Sequence, residues 1–150
     1  MTYQVVKRYG HDQGLSCVFR QWRADSHCKF LHGYALAFEL VFEADTLDAR
    51  NWVIDFGSLK PIKQHLTEMY DHTMLLATDD PLWDDLYHLG MHALGVADIR
   101  AVSATGCEAI AEHVHNYVSS WLTTRQHANH VRIVKVTVSE HPGNSAAVIA

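Results

Sequence analysis

Hydrophobic and polar positions alternate most clearly over residues 34–43. Tyr34, Leu36, Phe38, Leu40 and Phe42 point one way, and Ala35, Ala37, Glu39, Val41 and Glu43 the other. Successive side chains leave opposite faces of a pleated backbone, so this segment is predicted to be a strand with one face in the core. The apolar run 15–19 followed by the polar segment 20–29 predicts a shorter strand running into a loop. Residues 45–51 read as a turn and 52–56 as a short returning strand, so 33–56 is expected to be a hairpin. Near the other end, Val134, Val136, Val138 and Glu140 share a parity within a predicted strand 131–140. A turn at 141–144 leads to a last strand at 145–150.

Between these strands the apolar period changes to that of helices. Leu59, Ile62, Leu66 and Met69 or Tyr70 recur at helical spacing behind Ser58 as N-cap and Pro61 in the first turn, and the helix runs out at Asp71 and His72. Thr105 and Glu108 have capping-box spacing, and Ile110, Val114, Tyr117 or Val118, and Trp121 continue as an apolar stripe. A less regular helical pattern spans 79–94, weakened by Gly90 and Gly95. Strand pairs at both ends with helices between them predict an α+β fold in one domain, 1–150, with the helices on one face of an antiparallel sheet.

At 150 residues and 48% hydrophobic content, the chain has enough apolar material for one core. A net charge of -5, with no block of like charge, leaves no basic stripe for nucleic acid and no membrane-surface helix. A small-molecule ligand or protein partner is therefore expected. Cys17, Cys28 and Cys107 are few and odd in number, and the N-terminus lacks a secretory pattern, so a reduced, cytoplasmic setting is expected. No apolar run approaches the roughly 20 residues needed to cross a bilayer. The 12 histidines equal the lysines and arginines together, which directs attention to proton transfer and metal binding.

Cys28 opens the segment Cys-Lys-Phe-Leu-His-Gly-Tyr that leads into the core strand, which makes it a candidate nucleophile or acid/base thiol. The alternative is a free cysteine packed as a small hydrophobe. Asp71 and His72 add a carboxylate able to orient an imidazole, and an imidazole lowers the pKa of a nearby thiol. Glu140 brings a carboxylate to a face that is otherwise apolar, where it needs a salt-bridge partner or the N–H pair of a bound heterocycle. His113 and His115 are two apart on a helix and do not face each other, which argues against a metal pair. Glu108 reads as a cap, Cys107 as a packing residue, and Trp52, Trp83 and Trp121 as core or interface residues.

Taken in order, Cys28 to Tyr34 resembles the C-x-x-x-H-G-H segment of the 6-pyruvoyltetrahydropterin and 6-carboxytetrahydropterin synthase family. Trp-Val-Ile-Asp-Phe at 52–56 resembles its following strand, and Asp71-His72 its Asp-His pair. Residues 105–111 resemble its Thr-x-Glu-x-x-Ala helix start, and 136–140 its terminal strand. The resemblance implies a tunnelling fold, with a four-stranded antiparallel sheet, two main helices on one face, and active sites between subunits of a trimer or hexamer. It implies a lyase acting on 7,8-dihydroneopterin triphosphate or a related pterin, with Cys28, Asp71 and His72 in acid/base roles. Glu140 would hold the pterin ring, and Thr105 would lie with the substrate. Residues 79–102 exceed the family's usual connection and read as an added helix at a subunit contact.

The family binds zinc through three histidines, one on the first strand and two in His-Gly-His. Here His32 is the one retained; Tyr34 takes the place of its partner, and the first-strand position falls at Cys17 or Phe19. Either Cys17 and His27 join His32 in a rebuilt zinc site, or Tyr34 and an arginine such as Arg20 or Arg23 occupy the space and bind substrate oxygens. The second case opens an alternative function: a zinc-less homologue that binds a pterin or purine without the family's turnover. A third reading is a ring-forming structural protein with a relict pocket.

Overall fold

The computed structural model describes residues 1–90, 94–125 and 130–150. Along the chain run β1 (Tyr3–Tyr9), β2 (Leu15–Phe19), β3 (His32–Ala44), α1 (Lys60–Tyr70), β4 (Thr73–Ala77), α2 (Trp83–His88), β5 (Ile99–Val102), α3 (Cys107–Thr124), β6 (Val131–His141) and β7 (Asn144–Ile149). The long strand β3 is the axis. Its second half pairs with β1 on one side and β6 on the other, and β7 follows β6, all antiparallel. These four make the antiparallel sheet that the tunnelling fold requires.

The sheet does not stop at four strands. The first half of β3 pairs with β2, and β4 and β5 extend that edge in parallel, so the described residues form seven strands. The apolar run Met74-Leu75-Leu76-Ala77 explains why β4 escapes a search for alternation: every residue of that strand is buried, as happens when a parallel strand is covered on both faces. β1 and β5 also lie outside the segments predicted as strands.

One core holds the molecule together. Leu36, Phe38, Leu40 and Phe42 of β3 face Ile62, Leu66 and Tyr70 of α1 and Ile110, Val114 and Val118 of α3 in one buried cluster. Each such side chain contributes about 1.5–3 kcal/mol on burial. Both main helices lie on that face. A register shift between Val41 and Phe42 swings β6, so that Ile133, Val136 and Val138 enter the core while Val134 is only half-buried. The simple alternation expected at 134 fails there because a bulge resets the parity.

Four local expectations are corrected. Residues 52–56 are not a returning strand: Asp48 Oδ1 accepts from the backbone N–H groups of Arg50 and Trp52, and a 3-10 turn, Phe56–Leu59, follows. The turn is capped by Asp55, whose carboxylate accepts from Gly57 N–H, and Ser58 does not cap α1. α3 is not started by a Thr105–Glu108 box. Gly106 is its N-cap, with φ of 102°, and Gln21 Nε2 lies 2.1 Å from where a Cβ would stand. Of the helix expected over 79–94, only Trp83–His88 forms among the described residues, and 91–93 lie outside them. Trp121 is in the core, whereas Trp52 is 44% exposed. No helix among the described residues is long and apolar enough to cross a membrane.

Candidate functional site

His32, Tyr34, Glu140 and Cys28 gather where the start of β3 meets the end of β6. His32 and Tyr34 share the parity of Leu36 and Phe38 and so point to the helix face. β6 runs alongside, with Val138 opposite Phe38, which places Glu140 on the same face just beyond the apolar layer. Tyr34 stands against this carboxylate: burial raises the phenol's pKa first, the Glu140 charge adds to it, and Cys28 and Cys107 add less. His141 packs at 6.5 Å from the Tyr34 ring.

Cys28 reaches this cluster from a 3-10 turn, His27–Lys29, capped by Ser26, whose hydroxyl accepts from Cys28 N–H at 3.3 Å. The Cys28 carbonyl accepts from Gln21 N–H at 2.9 Å, which fastens the turn to the end of β2. Cys28 is partly accessible, whereas Cys17 and Cys107 are buried and their thiols are pushed up to about 12, chiefly by burial. Of the three thiols, Cys28 is the one that is both near Glu140's neighbourhood and open to a ligand. Thr105 donates to the Arg20 carbonyl at 2.7 Å and so joins the start of α3 to the same loop.

Asp71 and His72 form a separate group. Asp71 Oδ1 lies 2.6 Å from His72 Nδ1, which leaves Nε2 of a largely exposed imidazole facing outward. His72 has φ of 56°, and its N–H is tied to the Ser16 carbonyl at 2.7 Å. A non-glycine residue held there costs on the order of 1–3 kcal/mol, and such strain clusters at functional sites. His72 shares a cavity of about 270 Å³ with Ser16, Cys17, Val18 and Gly33, of which all but the buried Cys17 have the parity opposite to that of Phe19, His32 and Tyr34. Within one chain, therefore, the Asp71–His72 pair lies on the other face of β2 and β3 from Tyr34 and Glu140. No contact joins it to Cys28 among the described residues.

The ligand set for zinc does not fit. Among the described residues no three His, Cys, Asp or Glu side chains converge as a metal site. Cys17 is 2% exposed within the apolar core, and His27 is exposed on its turn, so the rebuilt Cys17–His27–His32 site is not formed. Nor do the arginines turn toward Tyr34. Arg20 makes two 2.7 Å bonds to the buried Asp80, and Arg23 binds Asp79 at 2.6 Å while stacking on Trp22.

Two features escape motif reading. A cavity of about 360 Å³ lies along β1, lined by Tyr3, Val5, Trp52 and Phe56, where the supposed returning strand instead presents its aromatic rings. His65 and His113, on different helices, approach to 3.3 Å between Nε2 atoms, with Tyr117 stacked on His65 at 3.5 Å. Spacing within one helix cannot reveal such a pair.

The four antiparallel strands β1, β3, β6 and β7 within the seven-stranded sheet, the main helices on one face and the carboxylate at the strand end define a tunnelling-fold protein of pterin-synthase type. The chain belongs to the 6-pyruvoyl tetrahydropterin synthase family, whose model matches residues 11–149. It is 26% identical over 128 residues to 6-carboxy-5,6,7,8-tetrahydropterin synthase from Aquifex aeolicus (strain VF5), covering 85% of this chain and 78% of that one. An uncharacterised protein from Wolinella succinogenes superposes with a TM-score of 0.83 at 21% identity, over 99% of this chain and 98% of the other. The 6-pyruvoyltetrahydropterin synthase of Plasmodium vivax superposes with a TM-score of 0.69 at 16% identity, over 99% and 97%.

Proposed function

We propose that the protein is a pterin-synthase-type lyase, of the 6-carboxytetrahydropterin synthase kind, acting on 7,8-dihydroneopterin triphosphate or a close relative, in the cytoplasm and within the 7-deazaguanine (queuosine) branch. The observation that carries this reading is Glu140: a carboxylate at the edge of the apolar layer, beside Tyr34, with no ion-pair partner among the described salt bridges. A desolvated carboxylate suits a pair of N–H donors on a heterocycle, because charge-assisted bonds to it are about twice as strong as neutral ones.

Cys28 and the Asp71–His72 pair supply the acid/base groups in this reading. Because they lie on different faces of one chain, the reading requires a trimer or hexamer in which His72 of one copy meets Cys28 of another. The orienting contact from Asp71 sets Nδ1 as donor and leaves Nε2 free to take a proton.

A second reading is favoured by the two positions at which the resemblance puts the first-strand metal ligand: Phe19 is fully buried and carries no donor atom, and Cys17 is buried in the apolar core. In that reading the protein binds a pterin or purine without the family's turnover. Incubation with dihydroneopterin triphosphate, with and without added zinc, followed by product identification, separates the two. The enzyme reading expects a tetrahydropterin product that Cys28→Ala reduces by about 100-fold or more, the range of a lost acid/base group. Turnover indifferent to Cys28 would remove the mechanism.

A further inference from the structure

Of the two first-strand residues at which the family's remaining ligand position falls, Cys17 is buried in the apolar core, and Phe19 touches the residues at the other two positions, His32 and Tyr34. Phe19 lies 5.6 Å from His32 and 6.2 Å from Tyr34 between ring centroids, and His32 meets Tyr34 edge-on at 5.4 Å. Edge-to-face and tilted ring pairs at these separations are favourable arrangements. The locus is thus filled by an aromatic cluster.

Its donor atoms are too few for a metal. Phe19 offers none. His32 Nδ1 lies 2.6 Å from the Phe30 carbonyl, so that nitrogen carries the proton and only Nε2 can accept. A structural or catalytic zinc takes at least three protein ligands. The nearby cations are held elsewhere, Arg20 by Asp80 and Arg23 by Asp79, which leaves His32 Nε2 and the Tyr34 hydroxyl, itself hydrogen-bonded to Glu140, as the polar groups of the cluster.

Building on the pterin reading above, we propose that this aromatic cluster replaces the family's zinc, and that the Tyr34 hydroxyl is the group that hydrogen-bonds a side-chain oxygen of the bound pterin. Tyr34 is then a substrate-binding residue, and the protein takes its ligand without zinc.

The test uses the full chain, expressed in zinc-supplemented medium. Elemental analysis should find zinc far below one equivalent per chain in the wild type and one equivalent in Phe19→His/Tyr34→His, in which the three-histidine set is restored. Neopterin and 6-methylpterin, which differ in side-chain hydroxyls, are then titrated by fluorescence. Tyr34→Phe keeps the ring and removes one hydroxyl, so neopterin affinity should fall about tenfold, the effect of one lost hydrogen bond, while 6-methylpterin affinity stays unchanged. Stoichiometric zinc in the wild type overturns the proposal, as does a double variant that folds by circular dichroism and holds no zinc. Equal effects of Tyr34→Phe on both pterins, or none on either, overturn the Tyr34 role. A wild type that binds neither pterin removes that role together with the functional reading, while its zinc count still judges the replacement of the metal.

Discussion

Glu140 and His65 show how much one side chain's surroundings decide. Glu140 is placed by the two-residue period of β6, and its expected effect follows from its charge. Glu140→Gln keeps the shape and removes the anion, so pterin affinity should fall about 10- to 100-fold by fluorescence titration, the range for a charged hydrogen bond. Unchanged affinity would place the ligand elsewhere. His65 is held near pKa 4, against an ordinary 6.5, first by burial and then by His113, with Glu68 opposing. Tyr117 stacks on its ring, Tyr70 meets His113 edge-on, and the His113 pKa is lowered as well. Between pH 6.5 and 4 the unfolded chain takes up a proton that the folded chain refuses. The stabilisation is therefore complete above 6.5, declines as pH falls, and is gone below 4. Thermal midpoints measured across this range should drop less steeply in His65→Gln than in the wild type, and parallel curves would show that the pair does not titrate as described.

At the scale of elements, the loop between β2 and β3 is fastened to the rest by two ion pairs, Arg20–Asp80 and Arg23–Asp79, of which the first is the buried one. Asp80 is 4% exposed and receives two bonds from Arg20, whose third nitrogen donates to the Lys29 carbonyl. Asp80→Ala leaves a guanidinium without its partner in a largely closed setting, so urea unfolding should show a loss of about 3–5 kcal/mol. Replacing both by apolar residues of similar volume, Arg20→Met/Asp80→Leu, should recover most of it. A single variant as stable as the wild type would mean that the pair is screened by solvent. Because the Cys28 turn hangs on this loop, the single variant should also loosen ligand binding.

The whole molecule leaves unsatisfied strand edges. Among the described residues β1 pairs only with β3 and β7 only with β6, so each presents a row of backbone donors and acceptors. Open edges of this kind are templates for another chain, and joining β1 of one copy to β7 of the next would continue the antiparallel sheet around a ring. Sedimentation or light scattering should find a trimer or hexamer at micromolar concentration. A monomer with full activity would contradict sites shared between copies, since His72 and Tyr34 face opposite ways in one chain.

Much of this architecture is readable from local pattern alone. β3, the two main helices and the parity of Glu140 follow from periods of two and 3.6, because a half-buried element must alternate as its backbone turns. The motif order from Cys28 to Glu140 carried the family for the same reason, since those residues lie in contiguous short segments. Other features depend on neighbours distant in sequence. β4 is buried on both faces and so has no alternation to read, and β6 changes parity at a bulge opposite Val41. The contacts among Phe19, His32 and Tyr34, the Arg20–Asp80 pair and the meeting of His65 with His113 arise only when separate elements pack. No local period records them, because each is an energy between segments and not within one.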